Sequence, residues 1–354
     1  MNIKTLLGIF LLMFSFAGCR QSHKNHSPEL WVWIHADAQK TSTDWDLDFK
    51  KLNDSGFNGI LMGANPEVLK TTIPIAKKHG LEVHAWMWTM NRGDADSSWL
   101  SVNQLGHSLA EQQAYVGYYK FMCPALPEVK EFIKSKIDEL ADIEGLDGIH
   151  LDYIRYVDAI LPVGLQPNYG LKQDSVFPEF DYGYHPYLVK LYKTKTGIIP
   201  FDLKNPATDF DWLQFRLDEL NKTVWELRDR IHTHGLKATA AVFPTPAMAR
   251  EMVRQEWDVW DLDCYYPMVY HNFYNQSFDW IKDVMMENRA TLSTNQKVIC
   301  GLYVPALKNE DDFRNAILSA LDGGANGVTF FDFRAMDDRA FEIIKDIQND
   351  KPGK

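Results

Sequence analysis

A histidine and an aspartate two residues apart end the run Leu146-Asp147-Gly148-Ile149-His150-Leu151-Asp152. Side chains alternate between the two faces of a strand. If Ile149 and Leu151 pack under helices, His150 and Asp152 share the opposite face. A carboxylate on an enclosed face is costly unless it is hydrogen-bonded or used, because burial disfavours its charged form. Asp152 is therefore a candidate nucleophile or base. Chemistry shared between two carboxyl groups needs a second acid, kept protonated while the first is ionised. Asp332, near the end of the last β-rich run, is the best placed. Glu179 and Asp181 lie in a long connection that could swing over the same opening, and Asp263 comes too early in its run to reach it. The fifth run ends Val242-Phe243-Pro244-Thr245-Pro246 and offers no acid.

Alternation adds further residues around the same opening. Trp33 and His35 share one face of the first run; His84, Trp86 and Trp88 share one face of the third. Met268 and Tyr270 share one face of the sixth, with His271 just beyond. Tyr153 follows Asp152, and Arg155 is placed to lower its pKa or to grip a substrate. The chain carries 11 Trp and 15 Tyr, and such rings stack on the apolar faces of sugars. Trp33, Trp86, Trp88, Tyr153 and Tyr270 are candidate sugar platforms. For each histidine an interior hydrogen-bonding role competes with substrate contact. His35, His84, His150 and His271 show no His-x-His or His-Glu-x-x-His spacing, so neither a metal nor another cofactor is expected. A Gly-x-Ser-x-Gly elbow and a P-loop are also missing.

The elements that position these residues repeat as a β-rich run followed by a helical stretch. Strands are predicted at 30–35, 59–62, 81–88, 148–154, 237–243, 262–270, 297–303 and 327–333, with a helix at about 127–143. Eight strands alternating with helices imply parallel pairing through right-handed crossovers and a closed (β/α)8 TIM barrel, class α/β. A doubly wound open sheet is the alternative, but no Gly-x-Gly-x-x-Gly follows the first strand. Two connections are long, about 91–121 and an insertion after strand four at about 157–211. In a barrel both leave the C-terminal face, where active sites are built.

Residues 1–18 read as a lipoprotein signal peptide. Lys4 precedes an apolar run from 6 to 16 that is too short to span a bilayer, and Ala17-Gly18 lead into Cys19. Cys19 is the expected lipidation site, 19–28 a polar tether and 29–350 the barrel. The expected location is the bacterial cell envelope, with the protein anchored to the outer membrane on its periplasmic or surface face. Lys plus Arg number 37 against 48 Asp plus Glu, a net charge of −11. That balance argues against nucleic acid, whose phosphates call for a basic face. Cys123, Cys264 and Cys300 are widely spaced and read as buried small hydrophobes rather than a disulfide or zinc framework.

The run Asp147-Gly148-Ile149-His150-Leu151-Asp152-x-x-x-Tyr156 follows Cys123-Pro124 and one helix. In this order it resembles the glycosyl-hydrolase-like family 10 barrels found among bacterial lipoproteins. Phe177-Pro178, Tyr184, Trp212, Arg216, Trp257, Asp263-x-x-x-Pro267-x-x-Tyr270 and Gly327-Val328-x-x-Phe331 extend the resemblance over about 29–345. Cys123, Met268 and Tyr153 depart from the residues usual there and mark a side branch. The resemblance implies a glycoside hydrolase acting on an extracytoplasmic polysaccharide, either peptidoglycan glycan strands or an imported glycan. Asp152 would be nucleophile or base and Asp332 the acid. The alternative is a non-catalytic glycan-binding lipoprotein on a degenerate barrel.

Overall fold

The computed structural model describes residues 27–37 and 39–349. The signal-peptide and Cys19 expectations fall outside the described residues. Eight parallel strands close into a barrel in sequence order: β1 (Glu29–His35), β2 (Gly59–Gly63), β3 (Glu82–Trp88), β4 (Gly148–Asp152), β5 (Lys237–Val242), β6 (Cys264–Pro267), β7 (Lys297–Tyr303) and β8 (Gly327–Phe331). β1 pairs with β8, which excludes the open sheet. Helices α1 (Ser42–Asp54), α2 (Pro66–Lys78), α3 (Pro127–Ala141), α4 (Pro186–Thr196), α5 (Phe210–Thr233), α6 (Pro246–Val253), α7 (Phe278–Thr291), α8 (Glu310–Asp322) and α9 (Asp338–Asn349) surround the strands, with α4 inside the insertion after β4.

Local signals set the element ends. Thr41 and Asp44 form a capping box at α1, and the Asn65 side chain caps α2 ahead of Pro66. Alternation then divides the apolar residues into two cores. Val32, Ile60, Val83, Ile149, Leu151, Ala240 and Val328 pack outward beneath the helices. Trp31, Trp33, Leu61, Trp86, Ala241, Cys264, Tyr266 and Ile299 fill the barrel itself. Cys123, Cys264 and Cys300 are buried free thiols.

Four strands, β4, β5, β6 and β8, stop short of their predicted ends, and for two of them the local cause is plain. β4 ends at Asp152 because Tyr153 turns to φ +50, a left-handed conformation that leaves the ladder. β6 ends at Pro267, which has no N–H to give; Met268 makes only an isolated bridge with Gly301. Tyr270 and His271 therefore sit in a turn rather than on a strand face.

The connections after β3 and β4 are joined to each other. Asn103 bridges Tyr182 antiparallel, and the Val102 carbonyl accepts from the Gly183 and Tyr184 amides at 3.1 and 2.9 Å. Beneath this join Asp181 is fully buried. It accepts from Arg216 Nη1 at 2.7 Å, Arg254 Nη2 at 3.0 Å and the Tyr184 hydroxyl at 2.7 Å. Asp181 thus pins the insertion from below and cannot swing over the opening. Burial pushes its pKa up, but the two guanidinium groups outweigh this and hold it below the usual range. Its stabilisation is complete above the unfolded carboxylate pKa and is lost as pH falls through the lower native one. Removing one partner of a buried ion cluster leaves charge uncompensated, at about 3–5 kcal/mol. Asp181→Asn is accordingly expected to lower unfolding stability by about that amount at pH 7 in urea titration. A loss below about 1 kcal/mol, the scale of an exposed pair, would contradict the assignment.

Candidate active site

Asp152 projects into the C-terminal mouth of the barrel and is 9% exposed. Its Oδ2 accepts from Trp86 Nε1 at 2.9 Å and its Oδ1 from the Tyr153 amide at 2.6 Å. Burial raises its pKa from the ordinary carboxylate value, and these two donors and the more distant Arg155 only partly offset it. The sign for stability is therefore opposite to that of Asp181. The protonated form is the better tolerated, and the contribution of this group declines as pH rises through its raised native pKa.

Trp86 connects Asp152 to the other side of the mouth. Its ring lies 4.6 Å from that of His35, and His35 Nε2 is 3.7 Å from Asp332 Oδ2. Burial lowers the His35 pKa more than Asp332 raises it, which disfavours the charged imidazolium. Asp332 follows β8, which lies opposite β4 in the eight-stranded ring. Tyr270 packs beside Tyr303 and Phe331. Burial first, then the charges of Asp152, Tyr303 and Asp332, hold its hydroxyl well above the usual range. The field of both carboxylates thus reaches one phenol. Trp88, 37% exposed, stands at the rim with Tyr153 at 4.8 Å and Tyr118 at 5.6 Å, and the Tyr118 and Tyr153 hydroxyls are 3.1 Å apart.

The structure thus brings Asp152, Asp332, His35, Trp86, Trp88, Tyr153 and Tyr270 to one end of the barrel. Five other candidates are corrected. Trp33 is sealed inside the barrel against His150, Tyr266 and Phe331 and cannot stack on a sugar. His150 and His84 are buried below the mouth, sharing the Thr239 hydroxyl at 3.0 and 3.2 Å. Arg155 does not grip substrate. It is buried, pairs with Asp158 at 3.4 Å, and lies against the Phe121, Tyr153 and Phe243 rings. His271 packs on Phe278 at the start of α7, on the helix side.

Sequence reasoning missed Tyr118, in a loop without periodicity, and Gly63. A Cβ on Gly63 would come within 2.8 Å of the Trp86 ring, so this glycine gives the indole its place. Among the described residues no three His, Cys, Asp or Glu side chains are grouped so as to hold a metal. A cavity of about 730 Å³ lies between Leu100, Val102, Tyr184 and Phe201 of the two long connections. It shares no residue with the Asp152 group, so size alone does not mark the site of chemistry.

No family model matches the sequence, and no curated protein matches it either. Solved structures do share the fold. The catalytic domain of β-amylase from Paenibacillus polymyxa superposes with a TM-score of 0.61 at 12% identity, covering 92% of this chain and 99% of that one. The endo-β-1,4-mannanase of Thermotoga petrophila gives 0.54 at 11%, covering 92% and 78%. A class V chitinase from Pseudomonas fluorescens Pf-5 gives 0.53 at 10%, covering 90% and 98%. The chain is a (β/α)8 TIM barrel, the fold these structures share. At these identities the likeness is one of fold alone.

The Trp86 N–H favours the ionised form of Asp152. Trp86→Phe keeps a ring but removes that donor. The Asp152 carboxyl is expected to titrate at higher pH in the variant than in the wild type, followed by carboxyl-carbon NMR. An unchanged or lower titration midpoint would show that the indole is not what steadies the carboxylate.

Proposed function

We propose that this protein is a glycoside hydrolase of the glycosyl-hydrolase-like family 10 type, acting on an extracytoplasmic polysaccharide. Peptidoglycan glycan strands or an imported glycan are the substrate classes. One observation carries the reading: a buried carboxyl, Asp152, at the C-terminal end of a barrel strand, in an aromatic mouth with a second carboxyl across it. The end of a strand at this face is where this fold builds active sites.

The environments support an exchange of the roles expected from sequence. Asp152 is desolvated and better tolerated as the neutral acid, so it is the proton donor to the leaving oxygen. Asp332, less enclosed and beside His35, is the base that activates water. Strands ~4.8 Å apart and tilted ~36° make an eight-stranded ring ~15 Å across between opposing backbones. Aspartates reaching inward from opposite walls of such a ring suit the ~6.5–9.5 Å of an inverting pair better than the ~5–5.5 Å of a retaining pair.

Asp152→Asn and Asp332→Asn are each expected to lower kcat for reducing-end release about 10²–10⁴-fold with folding intact, the usual size of an acid–base contribution. NMR of the first product should show the anomer opposite to that of the scissile bond. Full activity in either variant would remove that residue from the mechanism, and a retained anomer would remove the inverting assignment.

A second reading, a glycan-binding protein without catalysis, is favoured by the end of β5. There Phe243 is buried and Thr245 caps α6 at once, so this strand supplies no acid. Retention on a glycan gel without product formation would decide for it. The Cys19 motif supports a lipid anchor and an envelope location in either case. Cys19→Ser is expected to move the protein from the membrane fraction to the soluble one, read by fractionation and blotting. Retention in the membrane would overturn the anchor.

A further inference from the structure

A cavity of about 450 Å³ adjoins the Asp152 group on the β1–β3 side of the mouth, and His35, Gly63, Asn65, Trp86, Trp88 and Lys136 are among its walls. Its size falls in the range of sites that hold small ligands. We infer that it is a second sugar subsite, which takes the glycan unit next to the one at Asp152 and makes the substrate an extended chain. The inference rests on the glycosidase reading and deepens it.

The two places are joined by one ring. The Trp86 indole N–H points at Asp152, while its Cε3–Cζ3 edge lies over Gly63 in the cavity wall. A ligand in the cavity therefore sits one indole away from the acid. Trp88 supplies the flat surface. Tyr153 and Tyr118 support its ring, and neither tyrosine lines the cavity, so a face of the indole is left toward it. Arg92 fixes the backbone beneath by donating from Nη1 to the Trp88 carbonyl at 3.0 Å.

The polar lining selects the class of occupant. Arg92 is chelated by Asp94 at 2.8 and 2.9 Å, and Lys136 is 3.5 Å from Glu139. Both cations have partners, so the cavity is not built for an anion. Asn65 uses Oδ1 to cap α2 at 2.9 Å, which leaves its Nδ2 for a ligand. A purely apolar ligand would leave these polar groups facing it unpaired, at a cost. A neutral ring with one apolar face and hydroxyls around its edge satisfies both parts of the wall. That is a pyranose unit.

The test compares hydrolysis of maltohexaose, mannohexaose and chitohexaose with that of their dimers by the full chain. In whichever series the wild type cleaves, the hexamer is expected to be preferred. Trp88→Ala, which removes the platform, and Ala64→Trp, which fills the cavity from its wall, should each lower the hexamer-to-dimer ratio of kcat/KM about tenfold, chiefly through KM, equivalent to about 1.4 kcal/mol. Circular dichroism melts check that each variant is folded. An equal loss on both lengths, or no loss in a folded variant, overturns the subsite. If the wild type cleaves neither these chains nor peptidoglycan glycan strands, the glycosidase reading is what fails, and calorimetric titration of the three hexamers decides the subsite separately. Hexamer binding weakened by Ala64→Trp supports it; hexamer binding that Ala64→Trp leaves intact, or no hexamer binding at all, overturns it.

Discussion

The site depends on keeping one carboxyl group out of water with two N–H donors aimed at it. Leaving a buried polar group unpaired costs more than a single hydrogen bond returns. The donors to Asp152 therefore have to be fixed in place by the fold. Trp86 comes from the neighbouring strand, in a ladder whose register sets Trp86 beside His150 and Trp88 beside Asp152. The Tyr153 amide, next in the chain, donates to Oδ1 at 2.6 Å, and Tyr153 itself then turns into the left-handed region, uncommon for a bulky side chain. Gly63 is the third requirement, since any side chain there would collide with the indole. Three strands thus cooperate to hold one oxygen pair.

Below the mouth the barrel is a solid floor. Trp31, Trp33 and Tyr266 fill it edge to face, and a polar line passes between them. His150 and His84 meet at the Thr239 hydroxyl, and His84 Nε2 contacts Glu82 at 2.8 Å at the opposite end of the barrel. Burial pushes Glu82 up, but His84 and Lys237 outweigh it and hold its pKa at about 2. Burial also keeps His150 neutral. A histidine so enclosed has no route to substrate. These layers set the rigidity of the scaffold and leave the upper rim as the place for the proposed chemistry.

This division explains what the sequence could show. Period-two alternation places Ile149 and Leu151 outward and His150 and Asp152 inward, and eight alternating runs foretell the barrel. Alternation says which side of a strand a residue faces but not how deep it lies. Trp33, His84 and His150 share the inward face with Asp152 and differ from it only in height along the axis. Beyond a strand end the rule lapses altogether. Arg155 folds back against Asp158 and a set of rings, and His271 turns to the helices, because loop geometry rather than the ladder places them. Tyr118 and Gly63 belong to contacts between segments far apart in sequence, which no local pattern encodes.

The distribution of acids around the rim also follows from how each strand meets its helix. After β5 the chain enters α6 within a few residues. The Phe243 amide is tied to Gln255 at 2.9 Å and the Pro244 carbonyl to Asn288 at 2.8 Å. Phe243 then serves as one wall of the Arg155 enclosure instead of facing the mouth. A strand end so tightly bound has no freedom to present a carboxyl. After β8, by contrast, Asp332 emerges beside His35, before the chain turns into α9. On the proposed glycosidase reading, proton chemistry runs across the width of the barrel, from β4 to β8, rather than between neighbouring strands. A substrate held for that axis has to lie over the mouth, with its length directed where the rim is lowest. The joined connections after β3 and β4 raise one wall, and the short turn from β2 into α2 leaves the other open beside Trp86.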